Sequence, residues 1–152
     1  MKVFRIANDN YIHDLTGIGA RIYGGRWNLK GTSVIYTAES RALASVELLV
    51  HLLLSIIPSD LKIACIEIPD KITPQIVDVP DLPDNWRDYP PPSQLAVIGT
   101  NWVIETASLL LRVPSAVVED EYNILINPLH PDFKSIKIID TKKYSFDDRL
   151  LR

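Results

Sequence analysis

The spacing of apolar and polar positions changes along the chain, and each change marks an element. Val3, Phe4 and Ile6 set among Lys2 and Arg5 predict a first strand over residues 2–7, closed by the turn-prone run ANDN at 7–10. Residues 8–33 carry no sustained period. A second strand is predicted over 33–38, where Val34, Ile35 and Tyr36 are contiguous, and Ser40 then supplies an N-cap for a helix running to about Ile57 and stopped by Pro58. Within it Leu43, Val46, Val50, Leu53, Leu54 and Ile57 fall on one arc at the helical period. The apolar run LKIACIEI at 61–68 reads as a central strand, with a short one at 76–79. Residues 69–92 hold most of the prolines and form a surface excursion rather than regular structure. A second helix is predicted from Ser93 through about Leu111, with Leu95, Ile98, Trp102, Thr106 and Leu109 as its stripe and Gly99 as a point of close packing. Strands over 113–118, 122–126 and 135–139 and a polar tail complete the chain.

The chain mixes strands and helices, and an α+β fold with a central sheet flanked by helices is expected. A length of 152 residues with 47% apolar content supports one domain over 1–152 and a single buried core. The pieces on either side of the proline-rich excursion are too small to bury separate cores, so it is not a linker.

Charge narrows the partners. The formal net charge is −3, from 16 basic and 19 acidic residues without long runs of one sign, which argues against direct binding to nucleic acid or an anionic membrane. The longest greasy run, LLVHLLLSII, is broken by His51 and Ser55 and falls far short of the ~20 residues of a membrane span. MKVFRIA turns polar too early for a signal peptide, so a cytoplasmic protein is expected. Cys65 is the only cysteine, which excludes an internal disulfide, and its apolar neighbours predict a buried thiol. His13, His51 and His130 are far apart in sequence, and no metal site is expected.

The chemistry is concentrated in residues 17–51. Five of the six glycines lie between 8 and 33, interleaved with Tyr11, Tyr23 and Trp27, whose bulk argues against disorder. The third position of a dinucleotide fingerprint is Ile22, so GIGARI is not a Rossmann motif. Arg5, Arg21 and Arg26 are candidate anion clamps beside aromatic Tyr23, Trp27 and Tyr36. Glu47 falls at the edge of the apolar helix arc, where a carboxylate must be paired, hydrogen-bonded or protonated. It is either a functional acid or a structural partner of a core arginine. His51, one turn later, either lines the same site or is a half-exposed helix residue. Ser115, beside a proline, reads from local pattern alone as a hydrogen-bonding core or edge residue. Together these groups suit a nucleotide with a cleavable, positively charged base, while scattered surface arginines and core aromatics would give the same list.

The order GxGARxxGGRWN, Gly31, VIYTAES, ALASVELLVH, RVPSA and YNILINPLHPDF resembles the RES domain family, toxins of two-gene toxin–antitoxin systems, and the likeness spans nearly the whole chain. The resemblance implies an ADP-ribosyltransferase-like fold and an enzyme that degrades NAD by hydrolysis or phosphorolysis of its nicotinamide–ribose bond, with NAD as substrate, phosphate as the alternative co-substrate and no cofactor. Carried over by motif, it implies Arg26, Tyr36, Glu47 and Ser115 as catalytic residues and Arg5 as an NAD-holding arginine; Arg21, Trp27, Asn28 and His51 are further candidate substrate contacts, and the choice between Arg21 and Arg26 for the main phosphate role and a contribution from Asn123 stay open. Glu47 would stabilise the ribose cation and orient the attacking water or phosphate, Tyr36 would stack on nicotinamide or ribose, and Ser115 would hydrogen-bond near the ribose. It also implies a partner, an Xre-like DNA-binding antitoxin covering the active site; a homodimer is compatible with the same reading. Two alternatives stand beside it: an ADP-ribosyltransferase acting on a macromolecule, and a non-catalytic nucleotide-binding or interaction module.

Overall fold

The computed structural model describes residues 1–152. Seven strands share one mixed sheet in an α+β fold: β1 Lys2–Asn8, β2 Ile35–Ala38, β3 Leu61–Glu67, β4 Gln75–Ile76, β5 Leu110–Pro114, β6 Tyr122–Ile126 and β7 Lys137–Lys143. Their order is β4-β5-β6-β2-β1-β3-β7. Every pairing is antiparallel except the two-residue β4 against β5. Three helices accompany the sheet: α1 Ile18–Tyr23, α2 Arg41–Leu49 and α3 Ser93–Glu105. None is long and apolar enough to cross a membrane.

The core divides by sheet face because side chains alternate along a strand. On one face Trp27, Val34, Leu95, Trp102, Leu111, Val113 and Leu125 pack together, and α3 contributes Leu95, Trp102 and Val103. On the other, Val3, Ile35, Ile66, Leu110, Ile124 and Ile126 form a second cluster. Helix α2 begins at the expected cap, with Ser40 Oγ accepting from Leu43 N at 3.0 Å. It buries Leu43 and Ala44 against Ala38, Phe4, Ile6 and Val118. Cys65 is buried and free, as its surroundings predicted.

Several boundaries differ from the pattern. Helix α2 ends at Leu49, not Ile57, and Val50, Leu53, Leu54 and Ile56 are exposed, so the apolar arc continues past the last turn that has a sheet to cover. Helix α3 ends at Glu105, capped by Thr106 in the left-handed region at φ 50°. Residues 110–114 then form β5, a strand buried on both faces, whose continuous apolar run cannot be told from a helix by period. Ser115 therefore follows a strand instead of lying inside one. Helix α1 occupies part of the Gly-rich stretch read as loop; it buries no residue and has no apolar stripe to announce it. Strand β7 runs to Lys143, beyond Ile139, as an exposed edge carrying lysines that blunt its free side.

One pairing feature prepares the site. Strands β1 and β2 are in register at a single position, Phe4 opposite Ala38. Beyond it they part, β1 continuing along β3 and β2 along β6. The fork leaves a gap in the middle of the sheet.

Candidate functional site

The turn that carries Arg26 is fixed on all sides. Gly25 N donates to Asn28 O at 3.0 Å, closing a tight loop. Tyr36 Oη–H donates to Asn28 Oδ1 at 2.6 Å and accepts from Trp27 N at 3.1 Å. A Cβ at Gly25 would lie 2.7 Å from that Tyr36 oxygen, so the second glycine of GGRWN is required by close approach. Asn28 Nδ2 donates to the carbonyls of Ala20 at 2.8 Å and Thr32 at 3.1 Å, joining α1 to the approach to β2. From the other side α3 presses in at Gly99, where a Cβ would stand 1.7 Å from Trp27 O. The sequence placed close packing at Gly99, and this contact is its cause.

At the tip of this turn Arg26 donates through Nη1 to Trp86 O at 2.8 Å and Asp88 O at 3.0 Å, so the proline-rich excursion folds back beside the site. Burial pulls the guanidinium below its ordinary value, and the charge of Glu47 pulls it back up. It remains cationic, as arginine does in proteins. No arginine or lysine nitrogen lies within 4.0 Å of the Glu47 carboxylate, so the two opposite charges sense each other across a gap.

Glu47 lies one turn after Leu43 and Ala44 on the sheet side of α2. Its Oε1 accepts from Ser115 Oγ at 2.6 Å and from Asn123 Nδ2 at 2.7 Å. The structural alternative, a core Arg–Glu pair, is therefore not what holds it. Ser115 is buried, and its Oγ also accepts from Val117 N at 3.1 Å and Val118 N at 3.0 Å. Its one proton and both lone pairs are committed, which removes the expected direct bond to a ribose and makes it a support for Glu47. Asn123, in β6, is paired with Ala38 and with Val113 and so shares the face that α2 covers. From the sequence a contribution from Asn123 stays open, because nothing local distinguishes an asparagine in a strand; the strand register is what brings it to Glu47.

The fork between β1 and β2 opens into a cavity of about 560 Å³, lined by Arg5, Ile6 and Ala7 on one side and Val34, Ile35 and Tyr36 on the other. Helix α1 and Tyr11 complete its lining. That size suits a small-molecule ligand. Tyr36 belongs to both regions: its ring lines the cavity while its hydroxyl anchors the Arg26 turn. Burial raises its phenol well above the ordinary range. Arg5 lines the cavity too, but its guanidinium is occupied, Nη1 donating to Asp14 O at 2.6 Å and Nη2 to Tyr11 O at 3.3 Å. Burial lowers its pKa, with Asp14 opposing.

The remaining expected substrate contacts all lie outside the cavity lining. Trp27 is a core plug at 3% exposure, and Asn28, at 1%, is the staple described above; neither side chain faces open space. Arg21, exposed on α1, is outside the cavity lining. His51 falls in an exposed turn because α2 ends before reaching it.

Fold and site together define a mixed α+β protein with a pinned, open carboxylate facing an arginine beside a cleft in the sheet. The chain belongs to the RES domain family, which matches residues 2–147. It is 40% identical over 99% of its length to "Toxin Res" of Yersinia enterocolitica, covering 99% of that protein. It is 39% identical over 98% of its length to "Prs ADP-ribosylating toxin" of a Sphingobium species, covering 96% of it. Its fold matches a chain of the M. tuberculosis MbcT–MbcA toxin–antitoxin complex with a TM-score of 0.75, covering 95% of this chain and 84% of that one at 17% identity.

Proposed function

We propose that this protein is the toxin of a toxin–antitoxin pair and that it acts by breaking the nicotinamide–ribose bond of NAD. The observation that carries the reading is the Glu47 carboxylate, held at one oxygen and open at the other, with Arg26 across a gap and a ligand-sized cavity adjoining through Tyr36. Nicotinamide is cationic in NAD. When its bond to the ribose C1′ breaks, the electron pair leaves with the ring nitrogen and the positive charge passes to the ribose. The Glu47 carboxylate stabilises that cation and orients the water or phosphate that attacks C1′ and loses a proton. Arg26, with Nε and Nη2 not committed to the protein, takes the pyrophosphate or an incoming phosphate. The Tyr36 ring lies against nicotinamide or ribose.

The names of the relatives support a toxin. An antitoxin segment over the site is the partner this implies, and the cavity rim offers it apolar surface in Tyr11, Ile22 and Tyr23, which are 62%, 55% and 78% exposed. Purified protein, stripped of any bound partner, is expected to release nicotinamide from NAD; no release with or without phosphate overturns the reading. The Sphingobium relative's name favours a second reading, in which a macromolecule supplies the attacking nucleophile. Under it, label from the ADP-ribose half of NAD stays on protein or nucleic acid instead of appearing as free ADP-ribose.

A further inference from the structure

Both hydrogen bonds to the Glu47 carboxylate converge on the same oxygen. Ser115 and Asn123 donate to Oε1, while Oε2 receives nothing from the protein. No buried side-chain oxygen or nitrogen lacks a partner, so Oε2 is reached by solvent. From this asymmetry we infer that Asn123 is a positioning residue: with Ser115 it pins Oε1 and leaves Oε2 as the oxygen that faces the reacting ribose. What Oε2 faces rests on the NAD-cleaving reading; the pin itself does not.

Two donors are needed because one leaves the carboxylate free to swing. Ser115 fixes a point, since its oxygen is held by two backbone N–H groups of the turn that follows β5. Asn123 fixes a direction, since β6 is paired on both sides at this residue. Both donors are neutral. A cation in either place would neutralise the negative charge that the ribose cation needs, whereas an amide and a hydroxyl orient the carboxylate and leave its charge available. The chain of support runs from the 115–118 turn and strand β6 to Oε1, and through the carboxylate to Oε2.

The test uses the full-length protein in four forms: wild type, Asn123→Ala, Asn123→Asp and, for signal assignment, Glu47→Gln. Nicotinamide release is expected to fall by roughly 10- to 100-fold in kcat for Asn123→Ala, the worth of a hydrogen bond to a charged group. KM is expected to stay within about twofold, because Asn123 touches the carboxylate and not the substrate. Asn123→Asp turns a donor into an acceptor of the same shape. It is expected to be slower than Asn123→Ala at neutral pH and to recover as pH falls, when the introduced carboxyl is protonated and donates again. Arg26, the other charge facing Glu47, stays cationic throughout and does not produce that recovery. A residue that only fills space predicts no such pH-dependent rescue.

A readout without turnover separates this inference from the reading it rests on. In protein labelled with 13C at glutamate carboxyl groups, the Glu47 signal, identified by its loss in Glu47→Gln, is expected to move in both Asn123 variants without any substrate. An unmoved signal, or wild-type kcat in Asn123→Ala, overturns the inference. A moved signal in a protein whose wild type releases no nicotinamide supports the pin and overturns the NAD reading alone.

Discussion

Arg5 and Arg26 resemble each other in sequence terms and differ in what their guanidinium groups have left to give. Both donate to main-chain carbonyls, and burial lowers the pKa of both. Arg5 uses both terminal nitrogens on the strap at Tyr11 to Asp14, drawing that segment over the cavity. Arg26 uses one, Nη1, and keeps the rest of its fork uncommitted, within the field of Glu47. A charged group is available to a ligand only to the extent that the fold has not already spent its hydrogen bonds. On that count Arg5 builds the cavity, and Arg26 is the guanidinium with donors left for a ligand.

The largest expected effect tests the site half of the comparison. Glu47→Gln keeps the shape and removes the charge, and nicotinamide release is expected to drop by about 10²–10³-fold or more. Circular dichroism should remain that of the wild type. Release that persists undiminished would falsify the role given to Glu47 and with it the contrast between the two arginines.

Next come the arginines themselves. Arg26→Ala is expected to lower kcat/KM by roughly 10²-fold with a small change in Tm. Arg5→Ala is expected to do the reverse. Losing its bonds to the strap should cost about 2 kcal/mol, a fall in Tm of about 4–8 °C for a chain of this size, with folded protein retaining most of its turnover. If instead Arg5→Ala abolishes activity at unchanged Tm, Arg5 holds substrate and the division of labour drawn here is wrong.

The difference between these residues was not legible in the sequence, and the reason is general. Periodicity put Glu47 on the sheet side of a helix because burial leaves a mark every third or fourth residue. Strand β6 was readable to the residue, Tyr122–Ile126, because turn residues bound its apolar run. The mixture of strands and helices came from the same patterning. How many hydrogen bonds a side chain has already spent leaves no such mark, since its partners are backbone atoms remote in sequence: Trp86 and Asp88 for Arg26, or Val117 and Val118 for Ser115. Trp27 and Asn28 were grouped with substrate contacts because the GGRWN motif travels as a unit. In space only Arg26 is presented; Gly25 makes room for Tyr36, Trp27 is buried, and Asn28 ties the loop. The helix overruns at Ile57 and Leu111 share a cause: apolar residues continue after the helix has lost its covering partner or has become a buried strand.

The smallest expected effect concerns the residue that the two regions share. Tyr36→Phe keeps the ring in the cavity and removes the hydroxyl that joins Trp27 N to Asn28 Oδ1. The loop should lose about 1–2 kcal/mol while KM changes little, because the ring face is intact. Alkaline pH separates the hydroxyl from the ring more sharply. Burial raises the phenol in the folded protein, whereas the unfolded chain ionises near the ordinary tyrosine value of about 10. Above that value the unfolded state binds fewer protons than the folded one, so this group's contribution, fully present below it, is lost as pH rises towards the folded value. Urea unfolding at neutral pH and at pH values above about 10 should therefore show a steeper alkaline loss for wild type than for Tyr36→Phe. Equal slopes would place the hydroxyl in solvent and undo its role as the link between the cavity and the Arg26 turn.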